Sequence, residues 1–124
     1  MNEITELKGL RVLVVEDEML VSMLVEDMLS DLGCSVVGPA AEIEEAMSLA
    51  LGADIDAALL DVNLGGRPIF PVADALKARG VPFAFASGYG EAGLSEDHRG
   101  AAVLQKPFRE ADLARALRGL LTTA

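Results

Sequence analysis

Five short aliphatic runs, at residues 10–15, 35–38, 56–60, 81–86 and 101–104, alternate along this chain with stretches whose apolar residues recur at helical spacing. Strands this apolar leave no face for water, so the alternation predicts βαβ units and a doubly wound α/β fold, a parallel sheet with helices on both sides. In the first helical stretch Val21, Leu24, Val25, Met28 and Leu32 recur before Gly33, which is placed to end the helix; Ile43, Ala46, Met47, Ala50 and Leu51 repeat this before Gly52. A third helix is expected from near Pro71, since proline is tolerated in a first turn, to Gly80. The last runs from Arg109 to about Leu121, with Leu113, Ala116, Leu117 and Leu120 toward the sheet. Between them, Ser87 to Leu94 holds three glycines, each costing a helix interior about 1 kcal/mol relative to alanine. That predicts a short or mobile helix around 91–98.

The 124 residues fit one domain, 1–124, with no linker, repeat or second module expected. A formal net charge of −10 repels the phosphate backbone whose neutralisation drives most nucleic-acid affinity, so no nucleic-acid partner is expected. The lone Cys34 has no internal disulfide partner and is expected to pack at the start of a buried strand. The first residues lack the basic and apolar regions of a signal peptide, and no apolar run approaches the ~18 residues of a membrane span. A cytoplasmic protein without membrane contact is the expectation.

In a doubly wound sheet the carboxyl ends of the strands share one edge, where such folds keep their sites. Glu16 and Asp17 follow the first run, Asp61 the third, Ser87 the fourth and Lys106 the fifth. Three carboxylates in one pocket raise at least one proton affinity unless a cation offsets them. Oxygen ligands suit Mg²⁺, which takes one or two carboxylates together with water and a substrate phosphate. With the metal bound, Asp61 is placed to attack a phosphoryl donor and form an aspartyl-phosphate. The transferred group carries about two negative charges, for which Lys106 offers an ammonium and Ser87 a hydroxyl. Backbone N–H groups of the Asn63-to-Gly66 loop, and those after Ser87, add donors.

Val14-Val15-Glu16-Asp17-Glu18, Leu60-Asp61-Val62-Asn63, Ala86-Ser87-Gly88 and Lys106-Pro107-Phe108, in this order and over nearly the whole chain, resemble the receiver domain of two-component response regulators. The resemblance implies a flavodoxin-like (βα)5 sandwich with a five-stranded parallel sheet of order 2-1-3-4-5. It implies Asp61 as phosphoacceptor, with Ser87 as the switch residue and Lys106 as the phosphate-binding lysine. Asp17 would ligate Mg²⁺ directly, Glu16 largely through water and Asn63 through its backbone carbonyl, and the Lys106-Pro107 bond would be cis. Phe85-Ala86-Ser87-Gly88-Tyr89-Gly90 is similar to the FATGUY-type single-domain receivers common in alphaproteobacteria, with serine for the usual threonine. Their partners are sensor histidine kinases, often of the HWE or a related class. By the same resemblance the chain is no enzyme beyond assisting its own phosphorylation and dephosphorylation. It would be a monomer or weak dimer that signals by protein contacts or acts as a phosphate sink.

One position departs from the family pattern. Three residues before the lysine, receivers usually carry Tyr or Phe; here stands Val103, with no ring to rotate. Ordering of the glycine-rich segment 87–98 is the substitute expected from the sequence. Other readings stay open beside these. Glu16 and Asp17 also suit a helix N-terminus. Tyr89 either guards the pocket or is an exposed loop residue, while His98, among charged neighbours, is expected to be solvated and takes no part in phosphotransfer. Met19, Leu20, Met23 and Leu29 exceed what one buried helix face needs; they either dock a kinase helix or pack inside. A receiver cut from a longer regulator is a further alternative. A haloacid-dehalogenase-like phosphatase would need Asp-x-Asp after the first strand and a cap domain, and this order of motifs opposes it.

Overall fold

The computed structural model describes residues 7–88, 94, 96–98 and 100–123. In chain order the elements are β1 (Arg11–Val15), α1 (Met19–Asp31), β2 (Ser35–Ala40), α2 (Ile43–Gly52), β3 (Ala57–Asp61), β4 (Asn63–Leu64), β5 (Arg67–Pro68), α3 (Phe70–Ala78), β6 (Phe83–Ser87), β7 (Val103–Gln105) and α4 (Glu110–Thr123). The five longer strands form one parallel sheet in the order β2-β1-β3-β6-β7, the flavodoxin-like order expected. The helix expected around 91–98 falls largely outside the described residues, as does Tyr89. Within them Glu96–His98 make a single 3₁₀ turn.

Alternation along the strands feeds two cores. Leu13, Val15, Ala58, Leu60 and Phe85 face α2 and α3, whereas Val12, Val14, Ala57, Leu59, Ala84 and Ala86 face α1 and α4. The three central strands, β1, β3 and β6, are therefore wet on neither side, which is why their runs read as continuously apolar. The α1 helix ends where expected. Gly33 takes φ +84°, and the Gly33 and Cys34 amides donate to the Ser30 and Leu29 carbonyls, a left-handed cap that turns the chain into β2.

Two helix faces differ from the sequence expectation. On α1 the buried residues are Ser22, Val25 and Leu29, with Leu32 just beyond, while Leu24 is exposed together with Met19, Leu20 and Met23. Leu24 and Leu29 thus exchange their assigned places, because a serine sits in the buried stripe and shifts the apparent phase. Leu51 at the end of α2 also faces out.

The loop after β3 was expected only as a glycine loop. It is a two-stranded antiparallel hairpin, Asn63 opposite Pro68 and Leu64 opposite Arg67, turning through Gly65 and Gly66 at φ +59° and +85°. Both turn residues need positive φ, which glycine adopts at no steric cost. Lys106-Pro107 is cis, as the resemblance implies, and so is Gly38-Pro39.

Candidate functional site

The sheet register assembles the acidic cluster. Val15 pairs with Leu60, so the next residues, Glu16 and Asp61, leave adjacent strand ends side by side. Ser87, the last residue of β6, pairs with Gln105, which brings Lys106 to the same edge, and the Lys106 amide donates to the Ser87 carbonyl at 2.9 Å. Carboxylate oxygens of Glu16, Asp17 and Asp61 lie within 4.8 Å of one another, Glu16 and Asp61 buried and Asp17 exposed. Each of the side chains singled out in the sequence therefore arrives at one edge.

Lys106 bridges the two buried carboxylates, with Nζ 2.8 Å from Glu16 Oε1 and 3.5 Å from Asp61 Oδ1. Glu16 Oε2 also accepts the Glu18 amide at 3.2 Å. The hairpin supplies two backbone donors, from Gly65 to Asp17 Oδ2 at 2.9 Å and from Asn63 to Asp61 Oδ1 at 3.4 Å. The glycine turn thus holds Asp17, whereas the sequence suggested its backbone donors only for the transferred phosphoryl group. Ser87 and Asp61 share the wall of a cleft of about 410 Å³ with Val62, Asn63, Pro68, Phe70 and Gly88. Phe70 was not singled out in the sequence, where it reads as an ordinary aromatic at a helix start.

Burial first, then the neighbouring charge of Glu16, pushes the Asp61 carboxyl from its ordinary 3.8 up to about 7, with Lys106 pulling the other way. For Lys106, burial disfavours the ammonium, but its hydrogen bond to Glu16 and the charges of Asp61 and Glu16 outweigh this and raise its pKa. An aspartate held near neutrality in a cleft is poised to change state with a cation or a phosphoryl group. Three oxygen donors at this spacing, one open to solvent, fit a hard divalent ion that keeps part of its water shell.

His98 does not behave as expected from the sequence. Its ring stacks on Phe70 at a centroid distance of 4.6 Å, and Nε2 lies 2.9 Å from Asp74 Oδ1, so it is packed rather than solvated. The charged neighbours Asp97 and Arg99 suggested water, yet the contacts come from α3, more than twenty residues away, which no local pattern reveals.

Among the described residues no helix is long and apolar enough to cross a membrane. The chain is 32% identical over 111 residues to the transcriptional regulatory protein PdtaR of Mycobacterium tuberculosis, a match covering 86% of this chain and 54% of that protein. It spans about half the length of the curated relatives it matches. The solution structure of SdrG from Sphingomonas melonis Fr1 superposes with a TM-score of 0.81 at 41% identity, covering 98% of this chain and 99% of that one. SdrG has also been solved in a BeF3-activated conformation. The receiver domain of the sensor histidine kinase PA1611 from Pseudomonas aeruginosa PAO1, with magnesium coordinated in its active-site cleft, superposes at TM-score 0.77 and 27% identity over 92% of this chain and 98% of that one. The response regulator receiver domain model matches residues 12–118, and the chain belongs to that family of two-component regulatory domains.

Proposed function

We propose that the chain accepts a phosphoryl group on Asp61 from a phosphohistidine of a sensor kinase, of the HWE or a related class, and signals through protein contacts or drains phosphate as a sink. The observation that carries this is Lys106 bridging Glu16 and Asp61 beside Asp17, a cation within an acidic cluster at one strand edge. Mg²⁺, when bound by Asp17, Asp61, the Asn63 carbonyl and, largely through water, Glu16, supplies positive charge to the carboxylates and the incoming phosphoryl oxygens. An Asp61 carboxylate oxygen attacks phosphorus, the P–N bond breaks, and its electron pair leaves with the imidazole, which takes up a proton. The Lys106 ammonium then pairs with a phosphoryl oxygen and the Ser87 hydroxyl donates to another. Ser87 lines the cleft and Lys106 lies 3.5 Å from Asp61, the two arriving from adjacent strand ends, so little reorganisation is needed.

Exposed apolar residues on α1 support docking of a kinase helix: Met19, Leu20, Met23 and Leu24 are 76%, 77%, 52% and 59% exposed. A contiguous apolar patch on a helix beside the site is a recognisable protein contact. With an autophosphorylated HWE-class kinase as donor, Asp61→Asn is expected to lose labelling. The double change Leu20→Lys with Met23→Lys is expected to slow transfer roughly tenfold or more, as removal of central apolar anchors does, without lowering the melting temperature. Equal labelling of Asp61→Asn and the native chain would overturn the phosphoacceptor assignment; an unchanged rate in the double variant would remove the docking face.

A further inference from the structure

Phe70 belongs to two environments at once. It lines the cleft that holds Asp61, Ser87 and Gly88, and it stacks on His98 at 4.6 Å with the planes 18° apart. Below both rings lies Phe85, fully buried, meeting Phe70 edge-on at 5.7 Å and His98 at 5.8 Å. Phe85 stands two residues before Ser87 on β6. Asp74, which holds His98 Nε2 at 2.9 Å, stands four residues after Phe70 on α3, so ring and carboxylate share one helix face and grip His98 at two points.

The family's usual reporter is a ring three residues before the lysine, and that place is taken by Val103. Val103 pairs in register with Phe85. The rings of this chain therefore stand beside Val103 on the same face of the sheet, between β6, α3 and the 3₁₀ turn Glu96–His98. We propose that Phe70 is the positioning residue through which occupancy of the Asp61 cleft is reported, and that the Phe70–His98 stack carries the change to residues 96–98. The inference rests on Asp61 as phosphoacceptor. A phosphoryl group on Asp61 enlarges one wall of the cleft and draws on Ser87. Phe70 lines the same cleft and its ring is already in edge contact with Phe85, so its movement is passed to His98. Packed rings of this kind hold discrete arrangements and do not deform continuously, which lets a small displacement become a switch. Only an occupant that contacts the two arrangements differently shifts them, and Phe70 provides that contact.

The test uses beryllofluoride with Mg²⁺ as the probe and reads two backbone signals by NMR: the Gly88 amide, beside the cleft, and the His98 ¹³Cα, which ring currents barely affect. In the native chain both are expected to move on addition. In Phe70→Leu the Gly88 amide moves as before, while the His98 change falls to less than about a third. Phe70→Tyr, which keeps the ring, retains it. An equal His98 response in Phe70→Leu and native chain overturns the proposal, as does a native His98 that stays still while Gly88 responds; both leave the phosphoacceptor assignment standing. If neither signal moves in the native chain, or both move equally in Asp61→Asn, that assignment itself fails and the coupling with it.

Discussion

In EDTA near pH 8, Asp61→Asn is expected to melt on the order of 10 °C above the native chain, with the gap less than half as large near pH 5. The sign follows from the direction of the shift. The Asp61 carboxyl titrates near 4 in the unfolded chain and about 7 in the folded one, so between these values the folded state holds the extra proton. Its contribution to stability is fully present below about pH 4, is lost as pH rises toward 7, and stays lost above. The corresponding free energy is roughly 2–4 kcal/mol, with the pairing to Lys106 keeping it from being larger. Asparagine removes the charge and with it the penalty. Millimolar Mg²⁺ should close the gap for the native chain alone, because a bound cation offsets the carboxylate charges that the fold holds together. Thermal melts across a pH series, with and without Mg²⁺, check this. A difference independent of pH, or a less stable Asp61→Asn, would contradict the electrostatic description of the cluster.

Lys106→Ala acts in the opposite sense. Glu16 is 5% exposed, and its side-chain contact at 2.8 Å is the Lys106 ammonium. Breaking a buried pair by removing one partner typically costs about 3–5 kcal/mol. Because the lysine side chain is 22% open to solvent, about 2–3 kcal/mol is expected near pH 8. Without the ammonium, Glu16 and Asp61 stand beside each other with no compensating charge, so acidification should recover much of the loss by protonating one of them. Mg²⁺ should recover part of it by supplying the missing charge. Urea midpoints at two pH values separate this from simple loss of packing, which would be independent of pH. An unchanged midpoint near pH 8 would show that Lys106 does not hold the cluster together. In the proposed mechanism the same residue pairs with the phosphoryl group, so this variant should also hold an activating ligand less tightly.

The strands and the convergent residues were legible because both rest on local signals. Val12 to Val15 and Ala57 to Leu60 are buried on both faces and read as apolar runs, and polar residues at the ends of such runs stand out. The β4–β5 hairpin was missed although its signal was present, two adjacent glycines between short segments, because strands of two residues carry no periodicity. Ser22 in the α1 core stripe displaced the apparent buried face by part of a turn and exchanged Leu24 with Leu29. His98 was not legible at all: its surroundings come from Phe70, Asp74 and Phe85, brought together only by packing α3 against β6. That one carboxylate of the cluster gains proton affinity was legible from their convergence, but that it is Asp61 was not, since burial acts first and Glu16 second. Sequence thus reveals which groups meet, while their protonation and the contacts behind them need the fold.

The central claim, that Asp61 carries the phosphoryl group, is tested most directly by borohydride reduction of the chain after phosphotransfer from a kinase in Mg²⁺. Reduction converts an aspartyl-phosphate to homoserine, and peptide mass spectrometry locates it. Homoserine at position 61, absent when Mg²⁺ is chelated, is the predicted result; a phosphorylated chain with homoserine at Asp17 or another carboxylate, or with none, would contradict it.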